Sequence, residues 1–254
     1  MKKFLVAAVA AAMTFTAGSA SAQEELRIGV EGAYPPFSSV DPSGNLIGFD
    51  IEIANAICDE MKVKCTLVTQ DWDGIIPALL AKKYDAIIAS MSITEERKQK
   101  VDFSEKYYNT PARFLRKKDS GIEITAESLE GKSVGVQRGT IHDTFLTAEF
   151  PNVDIKRYGT QDEAYLDMTA GRVDLLLADS IAMDDGFVKT DAGKDYELFG
   201  PSYSEPKYFG DGAGIAVRKE DTDLRDRLSA AIKGIRANGV YKSINDKYFD
   251  FDIY

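Results

Sequence analysis

The sequence predicts an α/β protein of two lobes, each a mostly parallel sheet flanked by helices, joined by a two-strand hinge. Three observations predict it. Short β-rich runs alternate with segments of helical spacing. The alternation occurs as two series, one before residue 110 and one after it. Two more helical segments follow the second series and need a surface to cover. Packing them on the first unit makes that lobe discontinuous, with strand-like crossings near Tyr108–Arg113 and Pro201–Lys207. The lobes expected are 23–110 with 205–254, and 111–204.

Each element has its own signal. Leu26–Glu31 opens the first series as a strand. Phe49–Met61 sets Phe49, Ile53 and Ile57 on one helical face. Val63–Val68 is β-rich, Gly74–Lys83 is helical, and Ala86–Ile88 is a short buried strand. In the second series Ser133–Val136 and Val153–Lys156 read as strands. Thr140–Glu149 and Thr160–Ala170 read as helices, the latter stopped by Gly171. Val173–Ala178 is a buried strand and Ile181–Lys189 a helix. Gly214–Arg218 returns to strand before the closing helices Thr222–Asn238 and Tyr241–Phe249.

Composition narrows the function. Met1-Lys2-Lys3, an apolar run to Gly18 and the cleavage spelling Ala20-Ser21-Ala22 make residues 1–22 a secretory signal peptide. The apolar run is too short for a membrane span, and the periplasm is the expected compartment. Without Lys2 and Lys3, Lys+Arg falls from 31 to 29 against 41 Asp+Glu, a net charge of 29 − 41 = −12. That excess argues against a nucleic-acid partner. A freely diffusing monomer is expected. Cys58 and Cys65 are the two cysteines, and in an oxidising compartment a disulfide is the default. One histidine, His142, and no Cys/His cluster predict no metal site and no cofactor.

The residues that carry chemistry follow predicted strands. Glu31 and Tyr34 follow the first. Trp72 follows the strand at Val63, and Ser90 and Ser92 the strand at Ala86. Thr140 follows the strand at Ser133, and Asp179 the strand at Val173. In open α/β sheets, ligands bind outside the carboxyl ends of strands. The set suits a zwitterion. Arg97 can hold a carboxylate through two charge-assisted hydrogen bonds, with Ser92 and a helix start at Thr140 assisting. Asp179 can pair with an ammonium. Tyr34 and Trp72 can sandwich a cationic side chain, and Glu31 can neutralise it. Each residue also has a plainer reading. Arg97 in TEERKQK fits a solvated helix face capped by Thr94. Asp179 fits an N-cap, and the aromatics fit core or rim. Enzyme signals are weak, so no enzyme is expected. There is no G-x-S-x-G elbow, and Pro206 breaks the S-x-x-K spelling at Ser204.

The stretches RIGVEGAYPPFSS, GFDIEIANAICDEMKVKC, WDGIIPALLAKKYDAIIASMSITEERKQKVDFS, GKSVGVQRGT, AGRVDLLLAD and GAGIAVRKEDTDL are spread along the chain after residue 22. Across them the chain resembles the periplasmic polar-amino-acid-binding proteins of ABC importers, in the lysine/arginine/ornithine-, histidine- and octopine/nopaline-binding group. The resemblance implies the type II periplasmic-binding-protein fold and hinge closure on a basic amino acid or an opine. It also implies delivery to an inner-membrane ABC permease. It assigns the α-carboxylate to Arg97, Ser92 and Thr140, and the α-ammonium to Asp179 and Ser90. It assigns the side chain to Tyr34, Trp72 and Glu31, and a disulfide to Cys58 and Cys65. The chain departs from some relatives at Ala89, where a serine is found, and at His142, where a glutamine is common. Arg138 stands where an opine binder is expected to carry a small residue. A cyclohexadienyl dehydratase on the same scaffold is the enzymatic alternative.

Overall fold

The computed structural model describes residues 24–254. The expected signal peptide, 1–22, lies outside the described residues. Strand β1 (Glu25–Val30) leads into a small antiparallel sheet of β2 (Ala33–Tyr34), β3 (Ser38–Val40) and β4 (Leu46–Ile47). Then come α1 (Phe49–Met61), β5 (Lys64–Thr69), α2 (Trp72–Leu80), β6 (Ala86–Ile87), α3 (Glu95–Lys98) and β7 (Asp102–Tyr108).

A second series comprises β8 (Ala112–Lys117), α4 (Ala126–Leu129), β9 (Ser133–Gln137), α5 (Ile141–Glu149) and β10 (Asp154–Tyr158). It continues through α6 (Gln161–Thr169), β11 (Leu175–Asp179), α7 (Ser180–Met183) and β12 (Tyr196–Tyr203). The chain finishes with α8 (Pro206–Phe209), β13 (Ala213–Val217), α9 (Thr222–Ala237) and α10 (Val240–Tyr248).

Two five-stranded sheets result, in the orders β5-β1-β6-β13-β7 and β10-β9-β11-β8-β12. Both are mixed in the same way. Only the strand in fourth place, β13 in one sheet and β8 in the other, runs against its neighbours. The chain passes between the sheets through Asn109–Pro111 and again after β12. Two sheets joined by two crossings are the architecture that the resemblance implies.

The first core forms around α1. Gly48 starts that helix at φ 126, and a Cβ there would lie 2.4 Å from the Phe37 carbonyl oxygen. Only glycine fits that entry. Phe49, Ile53 and Ile57 are fully buried on one face. Leu228, Ile232 and Ile235 of α9 and Tyr241 of α10 share their cluster, so the closing helices cover the first sheet. The Cys58–Cys65 disulfide, with Cα atoms 6.0 Å apart, ties the end of α1 to β5. Closing so short a loop contributes about 2–3 kcal/mol.

Two expected elements differ. The helix expected at Ile181–Lys189 is one α-turn followed by a π-helix, Asp184–Val188. Gly193 lies against it so closely that a Cβ would meet the Phe187 carbonyl oxygen at 2.0 Å. The helix expected from Gly74 begins at Trp72, which moves the indole to its first turn. Helix α8 packs on the second sheet's side, with the Phe209 and Phe145 rings 5.1 Å apart. Among the described residues no helix is long and apolar enough to cross a membrane.

Candidate ligand-binding site

Loops that follow β1, β5 and β6 in the first sheet, and β9 and β11 in the second, line one cavity. The eight side chains assigned to a ligand reach its wall: Glu31, Tyr34, Trp72, Ser90 and Ser92 from the first sheet, with Arg97, then Thr140 and Asp179 from the second.

One end suits an anion. Thr94 caps α3, its hydroxyl accepting from the Arg97 N–H at 3.3 Å. The solvated face of that helix belongs to Glu95 and Lys98, which pair at 2.8 Å. Arg97 turns the other way and is half-buried. Its Nη1 donates to the Ser92 carbonyl at 3.0 Å, and its guanidinium carbon lies 5.2 Å from the Trp72 ring centre. It makes no ion pair among the described residues. Burial pulls its pKa down to about 10, so it stays charged at neutral pH. Opposite stands the start of α5. The Thr140 hydroxyl accepts from the Asp143 N–H at 3.3 Å and donates to the Gln137 carbonyl at 2.8 Å. The first N–H groups of a helix have no acceptor within it, which favours an anion there.

The next part suits an ammonium. Asp179 ends β11 and caps α7, so the N-cap reading holds, and the residue also lines the cavity. Its Oδ1 accepts from the Ile181 and Ala182 N–H groups at 2.9 and 3.1 Å, and its Oδ2 accepts from the Thr110 hydroxyl. Burial pushes its pKa up to about 6 against these hydrogen bonds. Ser90 adopts φ 53, and its hydroxyl donates to the fully buried Asp50 at 2.9 Å. Tyr107 donates to the other Asp50 oxygen at 2.9 Å and accepts the Ser90 N–H at 3.0 Å. The Ser90 proton is thus committed inward, which leaves its lone pairs for the cavity.

The far end suits a cationic side chain between aromatic walls. Tyr34 is buried at the edge of the first core. The Trp72 indole N–H donates to the Gly139 carbonyl at 3.2 Å. Glu31 accepts from Gln137 Nε2 at 2.6 Å. Burial pushes the Glu31 carboxyl up to about 7, and the charges of Asp162, Asp50 and Asp71 add to this while Gln137 opposes it. The Glu31–Gln137 and Trp72–Gly139 bonds join loops of the two sheets, as does Arg138 donating through Nε to Asp73 at 2.9 Å.

Other wall residues had no assigned role in the sequence reading, among them Thr110, Phe209, Gln137 and His142. Thr110 lies in a crossing, where no periodicity marks it. Phe209 belongs to the short helix α8. Gln137 could have been found, since it ends β9 as Asp179 ends β11. His142 lines the cavity with its ring 6.1 Å from Phe209. Burial, helped by the Arg97 charge, pulls its pKa down to about 3, so it is a neutral wall. Arg138, by contrast, pairs with Asp73 and is absent from the cavity wall.

Residues 26–251 match the bacterial extracellular solute-binding proteins, family 3. The chain is 50% identical to an L-arginine-binding protein of Pseudomonas aeruginosa, over all of this chain and 99% of that one. It is 43% identical to the lysine/arginine/ornithine-binding periplasmic protein of Escherichia coli, over all of this chain and 99% of that one. A Salmonella typhimurium periplasmic binding protein, solved to explain its high arginine specificity, superposes with a TM-score of 0.83 at 34% identity. That match covers 89% of this chain and 99% of the other. The chain therefore belongs to the family 3 bacterial extracellular solute-binding proteins.

Proposed function

We propose that this chain is a periplasmic receptor that captures a free basic amino acid, L-arginine foremost, and delivers it to an ABC permease. One observation carries the reading. Arg97 from the first sheet's side and Asp179 from the second face one cavity, and neither has an ion-pair partner among the described residues. An α-amino acid has both complementary charges. Glu31 then meets a cationic side chain. The binding names of the relatives agree with this. The lobes proposed are 23–110 with 205–254, and 111–204, with α8 of the returning segment reaching across onto the second sheet. Only a ligand touching both lobes stabilises the closed form against the open one. Asp179 accepts three hydrogen bonds, from the Ile181 and Ala182 N–H groups and Thr110, and keeps acceptor capacity for an ammonium.

Calorimetric titration of the ligand-free mature chain with arginine, lysine, ornithine, histidine, glutamine, octopine and nopaline tests the reading. Tight binding confined to the basic amino acids is expected. Tight opine binding alone would reassign the cargo, and no heat with any of them would overturn the reading.

The binding should depend on pH with a defined sign. Near neutrality the ligand-free Glu31 carboxyl, at about 7, is partly protonated, and Asp179 follows at about 6. A cation beside either group favours the carboxylate. Binding therefore releases protons, and arginine affinity falls as the pH drops through these values. Titrations at pH 6, 7 and 8, in buffers of different ionisation enthalpy, measure both effects. A flat affinity with no proton release would contradict the assignment of Glu31.

A further inference from the structure

We infer that Gln137 is a specificity-determining residue that favours a guanidinium over an ammonium at the far end of the cavity. The inference rests on the basic-amino-acid reading and deepens it. Gln137 is the last residue of β9 and is only 3% exposed. Both of its amide hydrogens are used. Nε2 donates to Glu31 Oε1 at 2.6 Å and to the Gly159 carbonyl at 3.1 Å. These bonds fix which way the amide points. A flipped amide would set its oxygen against a carboxylate and a carbonyl, both acceptors.

The amide oxygen is therefore the atom left without a donor among the described residues, on a side chain that lines the cavity. Glu31 stands beside it with one oxygen bonded to Gln137 and the other without a donor. The far end thus presents a carboxylate oxygen and a neutral amide oxygen, locked together by a direct hydrogen bond.

The two kinds of side chain use this pair differently. A guanidinium spreads its charge over a planar fork of five N–H donors and is weakly hydrated. It can serve both acceptors at once, in different directions, without giving up much hydration. An ammonium is a compact, strongly hydrated point charge. It gains most from the carboxylate and little from a neutral oxygen.

The test is calorimetric titration of the mature chain and its Gln137→Leu variant with L-arginine and L-lysine. Leucine keeps the approximate size and removes the amide. Arginine affinity is expected to fall about tenfold or more, the loss of a charge-assisted hydrogen bond. Lysine affinity is expected to change less than about threefold on the same reasoning. The arginine-to-lysine ratio then collapses. Equal losses for both ligands would overturn the inference, since that is what a merely structural role predicts. So would a wild-type chain that binds the two equally well. A wild-type chain that binds neither would instead sink the basic-amino-acid reading itself. Should leucine prevent folding by stranding the Gly159 carbonyl, Gln137→Asn withdraws the amide by one methylene and is expected to shift the ratio the same way.

Discussion

Arg97→Ala is expected to weaken L-arginine binding by about 10²–10³-fold, the cost of removing one partner from a buried charge pair. The fold should not suffer. Among the described residues Arg97 makes no ion pair, and its side chain hydrogen-bonds only to the Ser92 carbonyl. Burial already disfavours its charge. The melting temperature of the ligand-free variant should therefore match or exceed that of the parent. Arg97→Lys keeps the charge but loses the planar fork, and should fall between the two. Titration and thermal melts on the three proteins check this. A loss below about tenfold would move the carboxylate to the helix start at Thr140 alone.

Asp179→Asn has the second large effect. Asparagine keeps an oxygen for the Ile181 and Ala182 N–H groups, so α7 stays capped. What disappears is the negative charge facing the ammonium. Affinity should drop by about 10²-fold or more, because the ligand's buried cation then lacks its partner. Asp179→Ala should add a stability loss of about 1 kcal/mol from the missing cap. The two variants thus separate the structural role of Asp179 from its binding role. An Asp179→Asn protein within about threefold of the parent would place the ammonium elsewhere, with Ser90 the nearest alternative.

The fold was legible where one principle dominated. Apolar spacing gave α1 its observed limits, Phe49–Met61, because an entire face of that helix is buried. The site was legible because its residues follow parallel strands, and topology gathers strand ends. Other features depended on partners distant in the chain. β8 is buried only because β11 and β12 flank it. Arg116 within it lies over the Phe199 ring at 3.1 Å and bonds Glu197 at 3.0 Å, so a charged residue sits where a strand pattern asks for an apolar one. β12 shifts register between Phe199 and Tyr203, across Gly200 and Pro201, where the sequence reading began a strand-like crossing. The π-helix after α7 has no sequence mark short of Gly193 packing on it.

Asp179 illustrates the limit at the site. The sequence offers it as a cap or as a ligand contact; one oxygen serves the cap, and the residue also lines the cavity. Gln137 makes the converse point. Its position at a strand end was visible, but the direction of its amide depends on Glu31 and Gly159, which lie on different loops.

The central claim is that the cavity divides an amino-acid head group between Arg97 and Asp179. Its most direct test compares L-arginine with agmatine by titration of the ligand-free chain, since agmatine keeps the guanidinium and the amine but lacks the carboxylate. Agmatine should bind at least about 10²-fold more weakly than L-arginine, with an affinity that Arg97→Ala leaves unchanged. Agmatine binding within tenfold of L-arginine would contradict the account, because Arg97 would then have no carboxylate to hold.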